Sequence, residues 1–94
     1  NHYLRGKAYY EVEQLDAAAT AFQDAILSNP NSWQAQGGLG LVYARRGEYK
    51  RCAQSFRKVL ATEPGNPAAQ ENLRLCQDEL DKTTNPRDDS KSQP

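Results

Sequence analysis

The 94-residue sequence predicts an all-α protein, a short solenoid of stacked helix-turn-helix repeats, and three observations carry this. The first is a period of 34 residues: Gly6, Tyr9, Ala19, Phe22 and Pro30 return as Gly40, Tyr43, Ala53, Phe56 and Pro64, while Ala35, Gln36, Leu39 and Leu41 return as Ala69, Gln70, Leu73 and Leu75. A short helical unit cannot bury its own apolar face, so units repeating at this length stack on their neighbours. The second is apolar spacing at the helical period inside each copy. The third is a glycine or proline, Pro30, Gly47 and Pro64, where three of the first four helices must stop.

The first helix of the second copy is expected from Ser32 to Arg46, where Ala35, Leu39, Val42 and Tyr43 share one face. Gly47 follows, suited to the left-handed conformation that ends helices. A second stripe through Cys52, Ala53, Phe56, Val59 and Leu60 predicts a helix from Tyr49 to Thr62. Pro64 closes it, because the residue before a proline disfavours helix. The first copy reads likewise, with Ala8, Tyr9 and Val12 on one helix and Ala18, Phe22, Ala25 and Ile26 on the next. Its turn at Glu13 and Gln14 lacks the glycine, which leaves the turn's shape open. After Pro64, the run Gly65, Asn66, Pro67 predicts a loop, an N-cap and a proline at the first helical position. A fifth helix over 67–81 carries Ala69, Leu73, Cys76 and Leu80 on one face, but Arg74 and Gln77 stand where Gly40 and Tyr43 would accept a partner helix. It is expected to cap the stack.

These residues resemble the tetratricopeptide repeat family, whose pattern is W-x2-L-G-x2-Y, then A-x3-F, then P. The second copy reads Gln36-x2-Leu39-Gly40-x2-Tyr43, Cys52-x3-Phe56, Pro64; the first keeps Gly6-x2-Tyr9, Ala18-x3-Phe22 and Pro30, with His2 and Arg5 replacing Trp and Leu. The resemblance covers residues 1–80, divided into copies of about 1–32 and 33–66 and the cap. It implies a right-handed solenoid in which the first helix of each hairpin lines a concave groove for a protein or peptide partner. Carried over by position, that role falls on Tyr3, Lys7, Tyr10 and Glu11, on Gln34, Gly37, Gly38, Leu41 and Arg45, and on Asn72 and Leu75. Tyr10, Leu41 and Leu75 lie off the main apolar stripes and are candidate anchors. The family's chaperone-binding subtype holds a carboxylate with Lys, Asn, Asn, Lys and Arg. Those positions here are Tyr3, Lys7, Gly38, Ala68 and Asn72, which argues against binding Hsp70 or Hsp90 tails by that clamp.

Three glycines inside one helix call for an account. Each costs about 1 kcal/mol of helix propensity relative to alanine. The family places a small residue at Gly40 so that the two helices of a hairpin can approach, whereas Gly37 and Gly38 have no such reason in the pattern. Either they are tolerated or relieve crowding against a neighbouring helix, or a ligand backbone or second helix comes close to this bare stretch. On the second reading, replacing both by alanine is expected to raise stability by about 1 to 2 kcal/mol and weaken binding.

Residues 82–94 contain no aliphatic or aromatic side chain and are expected to be a disordered tail, with Ser90 and Ser92 as candidate modification sites. The chain opens without Met inside its first helix, which suggests a fragment or processed product of a longer parent. No stretch approaches the roughly 18 apolar residues of a membrane span. Cys52 and Cys76 sit on apolar faces, and free cysteine is often a small core residue, so they are read as core thiols rather than as a disulfide or metal ligands. With no membrane span and no charged-apolar-small leader in the sequence, a cytoplasmic location is expected unless a leader was removed by excision.

Catalysis lacks material. His2 is read as an exposed bystander, and Asp88 and Asp89 fall in the tail, where nothing desolvates them. Gly37-Gly38-x-Gly40 lies inside a helix without the strand, or the Lys-Ser or Lys-Thr, of a phosphate loop. No enzyme, cofactor or metal site is therefore expected. Net charge is zero, yet residues 45–58 hold Arg45, Arg46, Lys50, Arg51, Arg57 and Lys58 against Glu48 alone, a net of +5. This band is either solvated helix surface or a contact for an acidic partner; the absence of a nucleic-acid motif weakens an RNA reading. The functional expectation is a non-catalytic protein-interaction module, a scaffold or adaptor. The alternatives are an assembly or self-association segment of a longer repeat protein, and a regulatory or targeting domain fused to an enzyme.

Overall fold

The computed structural model describes residues 1–84. They form five helices and no strand: α1 (His2–Glu11), α2 (Leu15–Ser28), α3 (Trp33–Arg45), α4 (Tyr49–Thr62) and α5 (Pro67–Thr84). α1 pairs with α2 and α3 with α4 as hairpins; α3 packs back on α2 and α5 on α4. Two cores result, one at each junction between copies. Ala18, Ala19, Phe22, Leu39 and Val42 fill the first. Cys52, Ala53, Phe56, Val59, Ala69 and Cys76 fill the second.

The ends of the helices repeat as faithfully as their faces. Ser32 caps α3 by accepting the Ala35 N–H at 3.3 Å, and Asn66 caps α5 by accepting the Ala69 N–H at 2.9 Å. At the hairpin turns, Gly47 takes φ +78° and Glu13, one period earlier, takes φ +63°. Both turns close with the same pair of bonds. Gln14 N–H donates to the Tyr9 carbonyl at 2.9 Å and Glu13 N–H to Tyr10 at 3.0 Å, matched by Glu48 to Tyr43 at 2.8 Å and Gly47 to Ala44 at 3.1 Å. This is a Schellman closure, which needs a left-handed residue after the cap. The turn without glycine thus adopts the same shape, with Glu13 carrying the strain.

The glycines explain how the helices approach. A Cβ on Gly6 would lie 2.7 Å from the Phe22 ring, and one on Gly40 would lie 2.7 Å from the Phe56 ring. Each aromatic ring therefore seats on the bare backbone of its own hairpin partner. Gly38 has an equally firm role, since its Cβ would come within 2.5 Å of Phe22 from the neighbouring hairpin. Of the readings open for Gly38, this is relief of crowding against a neighbouring helix: Phe22 is clamped between Gly6 and Gly38. Of the four glycines inside helices only Gly37 has room, with Val59 at 3.8 Å and Phe56 at 3.9 Å.

α5 runs three residues past the expected boundary, to Thr84. No glycine or proline interrupts Asp81–Thr84, and Lys82 pairs with Glu79 at 3.3 Å, so nothing there stops the helix. The rest of the expected tail, with Ser90, Ser92, Asp88 and Asp89, lies outside the described residues.

The cysteines differ from expectation as well. Cys52 and Cys76 form a disulfide joining α4 to α5, with their Cα atoms 6.2 Å apart, within the range a disulfide spans. The period shows why they meet. They stand 34 residues after Ala18 and Val42, two residues buried together in the first junction core. Where that junction places alanine against valine, the second places two sulfurs.

Candidate partner-binding groove

α1 packs beside α3, and residues of α1, α3 and α5 line one side of the molecule. Between them lies a pocket of about 430 Å³. α1 contributes Tyr3, Lys7, Tyr10 and Glu11; α3 contributes Trp33, Gln34, Gly37, Gly38 and Leu41; α5 and its cap contribute Asn66, Ala68, Ala69 and Asn72. Phe22, Phe56 and Val59 from the second helices form the floor. The lining is mainly apolar and aromatic, joined by the polar side chains of Lys7, Glu11, Gln34, Asn66 and Asn72. Such a surface can desolvate side chains at its centre and orient a backbone at its edges.

Of the residues singled out from sequence, Tyr3, Lys7, Tyr10, Glu11, Gln34, Gly37, Gly38, Leu41 and Asn72 border this pocket, and Arg45 and Leu75 do not. Arg45 is held elsewhere. Its guanidinium pairs with Glu13 and lies over the Tyr10 ring, 5.0 Å from the centroid. The Glu13 hydrogen bond, reinforced by Tyr10, raises the Arg45 pKa above its ordinary value. Leu75 is 46% exposed outside the pocket, one period after Leu41 but on a helix that no further described helix faces. Trp33 was not singled out, Asn66 was expected only as an N-cap and Ala68 only as a clamp position. They sit at the entry ends of α3 and α5, and the two N-caps one period apart, Ser32 and Asn66, were the available signal.

The basic band is partly neutralised from within. Arg46 pairs with Asp16 and, at 3.5 Å, with Glu48, while Arg51 reaches Glu48 at 3.4 Å. Arg45 and Arg46 thereby tie the end of α3 to the turn region of the first hairpin. On the outer face of α5, Arg74 binds Glu71 at 2.6 Å and Asp78 at 3.0 Å. The first contact lowers the Glu71 pKa from its ordinary value, by the hydrogen bond and then the charge of Arg74. His2 is half-buried rather than exposed, and its Nδ1 is enclosed without a hydrogen-bond partner. Among the described residues no group of three or more His, Cys, Asp or Glu could hold a metal, and no helix is long and apolar enough to cross a membrane.

The sequence also compares with known proteins. It is 29% identical over 77 residues to a protein O-mannosyl-transferase of Caenorhabditis elegans, an alignment covering 82% of this chain and 11% of that protein. The chain therefore spans about a tenth of that relative. The family model for the tetratricopeptide repeat matches residues 3–73, the stretch that holds both hairpins, both glycine-seated phenylalanines and the start of the cap. With the doubled register and the five stacked helices, that match places the chain in the tetratricopeptide repeat family.

Proposed function

We propose that this chain is a non-catalytic protein-interaction module that receives a segment of a partner protein, an extended peptide or a single helix, in the groove between α1, α3 and α5. The observation that carries the reading is the groove's composition: a mainly apolar and aromatic lining with a few amide and charged side chains, Lys7, Glu11, Gln34, Asn66 and Asn72. Leu41 and Tyr10 act as anchors, and Asn72 and Gln34 are placed to pair with a backbone. The transferase chemistry in the relative's name belongs to a protein nine-tenths of which lies outside the alignment. An acidic partner would be drawn by Lys50, Arg57 and Lys58, because Arg45, Arg46 and Arg51 already face acids of this chain. A disulfide persists in oxidising compartments, so it favours a secretory or extracytoplasmic location over the cytoplasm.

The test is capture of partners by the full oxidised chain, followed by affinity measurement with Leu41→Glu/Asn72→Ala and, as a control away from the groove, Lys58→Glu. The groove variant is expected to lose tenfold or more in affinity and the control to lose little. Equal affinities for all three would refute the groove.

A second reading, self-association, draws on α1. Leu4 and Val12 are 57% and 65% exposed, and with Ala8 they form a stripe at the register that α3 turns toward α2. Sedimentation that shifts with concentration, and ceases to shift in Leu4→Glu/Val12→Glu, would support it.

A further inference from the structure

The two junctions of this stack are held differently. α3 is gripped on both sides, by α2 in the first hairpin and by its own partner α4. α5 has no such second partner among the described helices. It packs on α4 through Ala69, Leu73, Cys76 and Leu80, and Arg74 with its two carboxylates occupies the face that a further helix would need. The disulfide lies in the middle of that single interface, fully enclosed: Cys52 is 0% and Cys76 4% exposed. The same helix supplies the third wall of the groove, through Ala68, Ala69 and Asn72.

We propose that the Cys52–Cys76 disulfide is a redox gate on the groove: oxidised, it fixes α5 as the third wall; reduced, it releases α5 and dismantles the surface that receives the partner. This rests on the groove being the binding surface. The opening step consumes one equivalent of a dithiol reductant. Its thiolate attacks one cysteine sulfur to form a mixed disulfide, and its second thiol resolves that bond. Cys52 and Cys76 gain two electrons and two protons and become thiols, while the reductant becomes a disulfide. Because the sulfurs are enclosed, attack requires α5 to lift from α4 first. A partner that bridges α3 and α5 opposes that lift, so occupancy of the groove protects the disulfide, and the coupling is reciprocal.

Two readouts need no partner. Trp33, the chain's one tryptophan, lines the groove and packs against the core cluster that contains Cys52, Cys76 and Ala69, so its emission reports the wall. Amide exchange over residues 67–82 reports α5 directly. A cross-link across a sequence separation of 24 constrains the open chain enough that its loss should speed exchange in α5 on the order of a hundredfold. In the full chain, dithiothreitol should therefore accelerate exchange in α5, leave α1–α3 protected and shift Trp33 emission to the red, with thiol formation verified by alkylation and mass. Cys52→Ala/Cys76→Val copies the pair of the first junction. It should exchange like the reduced chain, with or without reductant. Unchanged α5 protection and Trp33 emission in the fully reduced chain, or a Cys52→Ala/Cys76→Val chain as protected as the oxidised one, would overturn the gate. The groove substitutions are measured with the disulfide intact, so failure of the groove and failure of the gate are read separately.

Discussion

Two adjacent glycines of α3 should respond to alanine with opposite signs. At Gly37 the new methyl would meet Val59 at 3.8 Å and Phe56 at 3.9 Å, which are ordinary contacts, so the substitution keeps the helix-propensity gain of about 1 kcal/mol. At Gly38 the same gain applies, but the methyl would sit 2.5 Å from two carbons of the Phe22 ring. Phe22 is 1% exposed and its ring also lies against Gly6, where a Cβ would be 2.7 Å away, so it has no free side to yield toward. Overpacking of a closed site costs about 1 to 3 kcal/mol, and confinement on both sides argues for the upper part of that range. The net expectation is a loss of about 1 to 2 kcal/mol for Gly38→Ala against a gain of about 1 kcal/mol for Gly37→Ala. Urea unfolding of the two variants, with the slope checked for constancy, measures the difference. Combining Gly38→Ala with Phe22→Leu should recover part of the loss, because the smaller side chain vacates the contested space. A Gly38→Ala domain as stable as Gly37→Ala would refute the clamp.

Other expectations follow from separate features. Gly47→Ala should cost about 1 kcal/mol in thermal or urea unfolding through its φ of +78° alone, since no atom lies within 4 Å of its would-be Cβ. Glu13→Gly, at the same turn position one period earlier, should stabilise by about 0.5 kcal/mol, the relief of the left-handed strain exceeding the loss of an exposed ion pair to Arg45. Phe56→Ala should cost about 3 to 5 kcal/mol, because the ring is 3% exposed at the centre of the second core; a loss under 1 kcal/mol would remove it from that core. The Glu71 carboxyl has a lowered folded-state pKa, so its pairing with Arg74 contributes above the ordinary carboxylate pKa and is lost as pH falls through the lowered value. Acid unfolding of Glu71→Gln should accordingly show a slightly shallower slope.

The architecture was legible because the period writes each structural solution twice. Phe22 and Phe56, Gly6 and Gly40, and Pro30 and Pro64 each confirm the other, and the α4 boundaries coincide with those expected from Tyr49 and Pro64. Where the copies differ, reading by analogy gave out. Glu13 carries no glycine signal, yet the turn after α1 takes the left-handed conformation and closes with the same two hydrogen bonds as the turn after α3. Gly38 looked unexplained because its partner ring belongs to the other hairpin, and the family pattern describes one hairpin at a time. The cysteines, taken singly, each look like a core residue. Only carrying both back one period, to Ala18 and Val42, shows that they face each other. Most of the groove's lining follows from position, but Arg45 left it because Glu13 and Tyr10 offered a charge and a ring.

The asymmetry between the junctions also fixes how the molecule would yield to tension. Pulled from its two ends, the first hairpin can peel away against dispersion forces and two exposed ion pairs alone. The segment between Cys52 and Cys76, a separation of 24 residues, stays closed by a covalent bond even after both helices have melted. At roughly 3.4 Å per residue, about 80 Å of chain would be missing from the fully extended length of the oxidised molecule and would appear on reduction. The molecule would act as an extensible lead joined to an inextensible knot.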